Sequence, residues 1–207
     1  MKLNATEALE RLKEGNHRYV SEVRGGDTYT LKARRNALLA GQEPFAIVLG
    51  CSDSRVPAEI VFNQGLGDLF VIRVAGNIVA PSQIGSVEFA AREFGSRLVV
   101  VLGHSNCGAV AATISALEQP GDAPSPNIGS IIDRIRPAVA TLMESAPNED
   151  RETLIGHAVR ANIRASSGRL RTGSVVLEDL IRNDGLLVVG AEYSLETGEV
   201  DFFDGVG

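Results

Sequence analysis

The sequence has no tryptophan, only two cysteines and two methionines, and few aromatic residues, which make up 5% of its 207 positions. Two cysteines cannot form the disulfide framework of a small secreted domain. The longest apolar runs are about six residues, whereas a membrane-spanning helix needs about 20. Residues 1–16 alternate charged and apolar positions, unlike the unbroken apolar stretch of a secretory signal. We therefore expect a cytoplasmic protein that does not interact with a membrane.

The charge balance narrows the choice of partners. Asp and Glu number 26 against 20 Lys and Arg, which gives a net charge of −6. A nucleic-acid-binding protein would need a basic stripe, and a membrane-surface protein a polybasic segment. Apolar residues make up 44% of the chain and charged residues 22%, as in ordinary globular domains. These values predict one folded domain over residues 1–207 that acts on a small molecule rather than on nucleic acid.

The order of apolar runs and helical patterns predicts the fold class. Strands are expected at 45–50, 68–74, 97–103 and 186–195, with a hairpin strand at 199–203. Helices are expected at 4–20, 82–94, 108–117, 128–143, 150–166 and 174–183, with a short helical stretch at 30–39 and a loop at 120–127. Continuous apolar runs are typical of strands buried on both faces, and their alternation with helices favours parallel pairing. The prediction is a three-layer α/β fold: a mainly parallel sheet between helices, with an N-terminal helical arm.

Two short segments carry most of the chemistry. Cys51 directly follows the first predicted strand, and His104 follows the third and forms an H-x-x-C motif with Cys107. Sites in parallel sheets form beyond the carboxyl ends of the strands, so Cys51 and His104 converge if those two strands are neighbours. Two sulfurs and one imidazole suit zinc, and a fourth open position is typical of a catalytic site. A metal-free alternative is a redox pair or a Cys-His nucleophile.

Polar residues next to the predicted ligands suggest how such a site could work. Asp53 can become a fourth metal ligand, or it can pair with Arg55 and accept a hydrogen bond from zinc-bound water. The N–H of Gly108, at the start of a predicted helix, can bind a substrate oxygen. Zinc with two thiolates and one neutral imidazole carries no net charge. We therefore expect its bound water to be less acidic than at a three-histidine site.

The other histidines and the basic residues have plainer interpretations. His17 lies on a polar helix and is expected to be a solvated surface residue, and His157 is expected to be structural. In G-L-G-D-L-F at 65–70, a phenylalanine stands where a dinucleotide-binding loop has its third glycine, so we predict a turn. Four arginines are predicted to form a solvated helical face: Arg160, Arg164, Arg169 and Arg171.

Four motifs together resemble those of β-class carbonic anhydrases, and the resemblance extends over roughly residues 4–200. They are C-S-D-S-R at 51–55, Q-G-L-G-D-L-F-V-I-R at 64–73, A-G-N at 75–77 and G-H-S-N-C-G-A-V at 103–110. The resemblance implies one Zn²⁺ per chain on Cys51, His104 and Cys107, with Asp53 and Arg55 as the dyad beside it. It implies reversible hydration of CO2 to bicarbonate and a proton by zinc-bound hydroxide. It also implies a homodimer or homotetramer in which the arm, residues 1–40, packs on the partner subunit.

The resemblance extends to the substrate pocket. Gln42 matches a glutamine that binds substrate oxygen in one kind of β-carbonic anhydrase. The other kind has a tryptophan that helps to build an inhibitory bicarbonate site, and Val48 stands at that position here. By resemblance, Gln42, Phe70 and Phe89 would reach across the dimer interface and, with Ala75, line the neighbouring pocket. Plant relatives often have Tyr and Val at positions 89 and 75. A hydrolase of carbonyl sulfide or carbon disulfide on the same scaffold therefore stays an alternative.

Overall fold

One sheet organises the chain in a computed structural model that describes residues 2–22, 32–119, 125–145 and 148–206. Its strands are β1 (Ala46–Gly50), β2 (Leu69–Arg73), β3 (Leu98–His104), β4 (Leu187–Tyr193) and β5 (Val200–Asp204). Their order across the sheet is β2-β1-β3-β4-β5. The first four strands run parallel and β5 pairs antiparallel with β4. The predicted mainly parallel sheet and its closing hairpin are confirmed.

Helices cover both faces of this sheet. They are α1 (Ala5–Val20), α2 (Lys32–Ala37), α3 (Ala58–Val61), α4 (Pro81–Glu93), α5 (Gly108–Glu118), α6 (Pro126–Ser145), α7 (Arg151–Thr172) and α8 (Val175–Asn183). Short 3-10 turns occupy Leu38–Ala40 and Ala75–Asn77. None of the described helices is both long and apolar enough to cross a membrane. Positions 30 and 31 of the predicted short helix, and most of the predicted loop at 120–127, lie outside the described residues.

The alternation of side chains along the buried strands creates two cores. Ile47 and Val99 belong to the core formed with α4 to α8, whereas Val48 and Val100 belong to the core formed with α1 and α3. Every residue of β1 and β3 is buried. Strands covered on both faces need apolar side chains in both directions, which explains the continuous apolar runs. The predicted three layers are confirmed.

Two helices differ from the sequence expectation. The helix predicted to end at residue 166 continues to Thr172, because Leu170 extends its buried face. Gly173 is its C-cap. The helix α3 was not predicted. It has only four residues, which is too short to show a helical period.

Two arginines of α7, Arg160 and Arg171, are a correction to the predicted solvated face, whereas Arg164 and Arg169 are exposed as expected. Arg160 bonds to Asp201 at 2.8 Å and Glu192 at 3.1 Å, and its guanidinium lies 3.7 Å from the centre of the Phe203 ring. Arg171 donates to the Val188 carbonyl and to a carboxylate on β5. Arg164 also stacks on Phe203, and Arg169 reaches the Val79 carbonyl at 3.4 Å. Arg160 and Arg171 therefore attach the β4–β5 hairpin to α7, because their partners come from strands that are distant in the sequence.

The first helix packs on its own chain. Asn4 caps α1 in a capping box with Glu7, and the apolar face of α1, including Leu12, is buried against the sheet. A Cβ at Gly15 would lie 1.9 Å from the Phe62 carbonyl oxygen, so this close approach requires glycine. The apolar face of α1 is thus covered by its own chain, which leaves its other faces for the partner subunit expected from the sequence. Contact by the rest of the arm stays a prediction.

The side chain of Asn16 connects α1 to two other parts of the chain. Its Nδ2 donates to the carbonyls of Val61 at 3.1 Å and Gly198 at 2.9 Å, and its Oδ1 accepts from the Val200 N–H at 2.9 Å. We expect Asn16→Ala to lower the free energy of unfolding by about 2–4 kcal/mol, because it leaves backbone groups without partners. Chemical denaturation at a fixed protein concentration measures this. Asn183→Ala, which removes an exposed bond to Asp179, should change stability by less than about 1 kcal/mol. Equal losses in the two variants would contradict the role of Asn16.

Candidate metal centre

Strand pairing brings the predicted metal ligands together. β1 and β3 are hydrogen-bonded neighbours, with Gly50 opposite Leu102, so Cys51 and His104 lie at the same edge of the sheet. A tight turn with Asn106 at φ 55° then leads to Cys107, the N-cap of α5. The two sulfurs and a ring nitrogen lie within 4.8 Å of one another, and all three residues are buried. The convergence expected from the sequence is present.

The hydrogen bonding of His104 leaves one nitrogen available. Its Nδ1 lies 2.9 Å from the Ser105 carbonyl oxygen, which can only accept, so Nδ1 carries the proton. Its Nε2 is fully buried and has no hydrogen-bond partner. A buried lone pair without a partner is costly, and a metal ion bound beside the two sulfurs would remove that cost. The donor set of Cys51, His104 and Cys107 therefore fits zinc.

The two thiols change each other's pKa in opposite directions. Hydrogen bonding from Cys107 lowers the pKa of Cys51, assisted by the Gly76 N–H at 3.3 Å from the Cys51 sulfur. The same hydrogen bond, together with burial, raises the pKa of Cys107, because a second thiolate would be repelled by the first. Binding of a divalent cation supplies the positive charge that allows both thiols to ionise.

Asp53 and Arg55 form an ion pair beside these ligands that is held by three hydrogen bonds. The guanidinium of Arg55 donates from Nε to Oδ1 of Asp53 at 2.9 Å and from Nη2 to Oδ2 at 2.8 Å. The backbone N–H of Arg55 also donates to Oδ1, at 3.0 Å. These bonds hold the pKa of Asp53 well below its usual range, so the carboxylate is charged at neutral pH. Oδ2 lies 3.8 Å from Nε2 of His104, which puts Asp53 at the edge of the metal site.

One residue of the site was missed from the sequence. Arg73, the last residue of β2, donates from Nε to the Cys51 carbonyl at 3.0 Å and from Nη2 to the Asp53 carbonyl at 2.5 Å. It thereby holds the backbone that carries both side chains. Because it bonds to main-chain oxygens, its partners leave no motif in the sequence. Its signals were its place at the end of the motif at 64–73 and at the end of an apolar strand on the same edge of the sheet.

The expected pocket residues fall into two groups. Gly108 begins α5 next to Cys107, is exposed, and has open space where a Cβ would lie. Ala75 begins the turn whose next residue contacts Cys51. Phe70 and Phe89 instead pack with Phe94, with ring centres 5.7–6.2 Å apart. Phe70 lies three residues before the end of β2, so it is about 10 Å below the edge that carries the site.

Comparison with known proteins agrees with this geometry. A family model described as carbonic anhydrase matches residues 46–200. Carbonic anhydrase 2 of Mycobacterium tuberculosis is 34% identical over 204 residues, which cover 99% of this chain and 95% of that protein. The carbonic anhydrase of Mycolicibacterium smegmatis is 35% identical over 204 residues, covering 99% and 96%. The structure of the β-carbonic anhydrase CcaA matches with a TM-score of 0.73 and 26% identity, over 96% of this chain and 92% of that one. The chain belongs to the β-carbonic anhydrase family.

As a β-carbonic anhydrase, the chain catalyses the zinc-dependent, reversible hydration of CO2 to bicarbonate and a proton. The reaction and the cofactor expected from the sequence are confirmed. The β-carbonic anhydrase CafA of Aspergillus fumigatus, at 24% identity, has the same fold with a TM-score of 0.76, over 98% of this chain and 91% of that one. A metal-free thiol protein does not fit a family whose members bind zinc.

Replacing His104 tests the ligand set. We expect His104→Gln to weaken zinc binding by more than about 100-fold, because the variant loses the only nitrogen ligand of the three. Metal analysis after dialysis against a chelator of known zinc affinity measures this loss. His157→Gln is the matched control, since His157 is exposed and pairs with Glu149 at 2.9 Å. A His104→Gln protein that keeps one tightly bound zinc ion would contradict the assignment.

Proposed function

We propose that Asp53 and Arg55 orient the nucleophile in CO2 hydration. Bound zinc lowers the pKa of a water molecule and thereby supplies a nucleophile near neutral pH. The role of Asp53 is to accept a hydrogen bond from the attacking water. This orients the water so that a lone pair of the water oxygen faces the CO2 carbon. Arg55 holds the carboxylate in place with a planar, two-point contact. The observation that carries this proposal is the charged carboxylate, bound by Arg55 on one side and 3.8 Å from the available His104 nitrogen on the other.

The N-terminus of α5 would stabilise the charge that develops on the substrate. Gly108 is its first residue, and the absence of a side chain leaves its surroundings open. Its N–H can donate to the CO2 oxygen that becomes negative during the attack. We propose Gln42, exposed just after the Leu38–Ala40 turn, as a second donor to substrate oxygen. With Val48 buried in β1 and no tryptophan in the chain, we assign the enzyme to the kind without an inhibitory bicarbonate site.

A second copy of the chain would complete the pocket. Phe70 lies about 10 Å below the edge that carries the metal ligands, and both Gln42 and Phe89 are exposed, Phe89 by 53%. β2, which carries Phe70, is an edge strand of the sheet. We propose a homodimer, alone or paired into a tetramer, in which these residues face the neighbouring site. Two β-carbonic anhydrases of Sordaria macrospora with the same fold are described as tetrameric. A cytoplasmic location agrees with cysteines that must stay reduced to bind metal.

The substrate is tested by stopped-flow CO2 hydration on protein of measured zinc content. With one zinc per chain, we expect turnover that is faster at pH 8.5 than at pH 7.0. The near-neutral metal centre acidifies water less than a three-histidine site, whose water has a pKa of about 7. Sulfide release from carbonyl sulfide is measured in parallel, because Ala75 has a smaller side chain than the valine of plant relatives and would leave more room for a sulfur atom. Full zinc content with sulfide release and no CO2 hydration would overturn the assignment in favour of the sulfur substrate.

Separating Asp53 from Arg55 tests the proposed dyad. We expect Arg55→Ala to retain zinc but to lower kcat/KM for CO2 about 10- to 100-fold. This is the typical loss when a residue that orients a side chain next to a metal ion is removed. The freed carboxylate would turn towards the metal and occupy its open position. Arg55→Lys should recover little of the loss, because an ammonium cannot make the two-point contact.

The control for this experiment removes a different arginine of comparable exposure. Arg182 pairs with Glu178 on the surface of α8 at 3.0 Å, and Arg182→Ala should leave kcat/KM and zinc content unchanged. Unchanged kcat/KM in Arg55→Ala with full zinc content would show that Asp53 needs no partner.

A further inference from the structure

The turn Ala75–Asn77 contacts the metal centre through its backbone. The N–H of Gly76 points at the sulfur of Cys51, 3.3 Å away. The turn has an unusual backbone, because Gly76 at φ 68° and Asn77 at φ 43° are both left-handed. This conformation is unfavourable for a residue with a side chain, and a Cβ at Gly76 would come within 2.8 Å of Ile135. Because glycine is conformationally the most permissive residue, contacts around the turn determine where the Gly76 N–H points.

One buried side chain holds this turn from the opposite side. Asn162, on α7, is 2% exposed and donates from Nδ2 to the Gly76 carbonyl oxygen at 2.8 Å. The two residues are 86 positions apart in the sequence. Gly76 thus accepts a hydrogen bond from α7 and donates one to a metal ligand. The backbone bond from Asn77 N–H to the Val74 carbonyl, at 3.0 Å, closes the turn but does not tie it to the helices.

We propose that Asn162 is a positioning residue of the metal centre, which aims the Gly76 N–H at the Cys51 sulfur. The inference rests on the zinc site described above. A hydrogen bond to a thiolate withdraws negative charge from the sulfur, so Cys51 donates less charge to the metal. The metal then stays more electron-poor, which favours acidification of its water. Asn162 would therefore partly offset the neutralising effect of two thiolate ligands without touching metal or substrate.

Cobalt substitution tests this through a signal that depends on the sulfur. In Co²⁺-loaded Asn162→Asp, which keeps the shape of the side chain but loses the amide donor, the thiolate-to-cobalt charge-transfer band should shift to lower energy. The shift follows because a sulfur without its hydrogen bond holds its electrons less tightly. Zinc affinity, measured by chelator competition, should fall about tenfold, because the turn that positions Cys51 is no longer held and this outweighs the stronger donation by the freed sulfur. Asn162→Leu should give the same direction in both measurements.

A buried residue of the same helix provides the control. Ser167 is fully buried on α7 and donates only to Ile163, at 2.9 Å, within that helix. Ser167→Ala should lower thermal stability while leaving the charge-transfer band and zinc affinity as in the wild type. If the Asn162 variants behave like Ser167→Ala, with lower stability and unchanged metal readouts, Asn162 is structural only and the inference is wrong.

A measurement on the wild-type protein tests the inference even if the variants do not fold. In ¹¹³Cd-loaded wild type with labelled glycine, we expect a scalar coupling between the Gly76 amide proton and ¹¹³Cd, transmitted through the Cys51 sulfur. Its absence would overturn the inference even if no variant folds. A wild-type protein that binds neither zinc nor cadmium would instead overturn the metal site itself, so the two failures are distinguishable.

Discussion

The parallel pairing of β1 with β3 is the constraint on which the site depends. A metal ion needs its ligand atoms within a few ångströms of one another, and no short segment of this chain supplies all of them. The register that places Gly50 opposite Leu102 brings Cys51 to the end of β3. Since the hydrogen bonds of a parallel ladder fix this register, the spacing of the ligands is built into the backbone. A slip of one residue would turn every side chain to the other face.

Around this pairing, two side chains hold the segments that follow β1 and β2 by hydrogen bonds to main-chain carbonyls. Arg73 binds two carbonyls of the segment after β1, and Asn162 binds the carbonyl of the turn after β2. Side chains that bond to backbone oxygens fix a loop regardless of which residues it carries. The metal ligands can therefore be buried and rigid before any ion binds, whereas the Arg55 side chain is exposed.

The sequence was sufficient for the parts of the fold and site that follow local rules. Continuous apolar runs predicted the buried strands, and Cys51 and His104 at their ends predicted the metal site. Residues whose role depends on a distant partner could not be predicted in the same way. Arg160 and Arg171 looked solvated because their acidic partners lie on β4 and β5, and Asn162 carried no signal because its partner is a backbone carbonyl. Phe89 is half exposed in a single chain, so its proposed role at a subunit interface can be examined only with a second copy.

Both thiol groups of the chain lie at the metal centre, and this has a practical consequence. Cys51 and Cys107 are the only cysteines in the sequence, both are free and buried, and both belong to the metal centre. Any thiol-reactive dye that labels the folded protein therefore reports on this centre alone, without background from other positions. The rate at which the dye labels this chain can consequently report the fraction of the chain that carries a metal ion. Elemental analysis of a mixture cannot do this, because it does not distinguish metal bound to one polypeptide from metal bound to another.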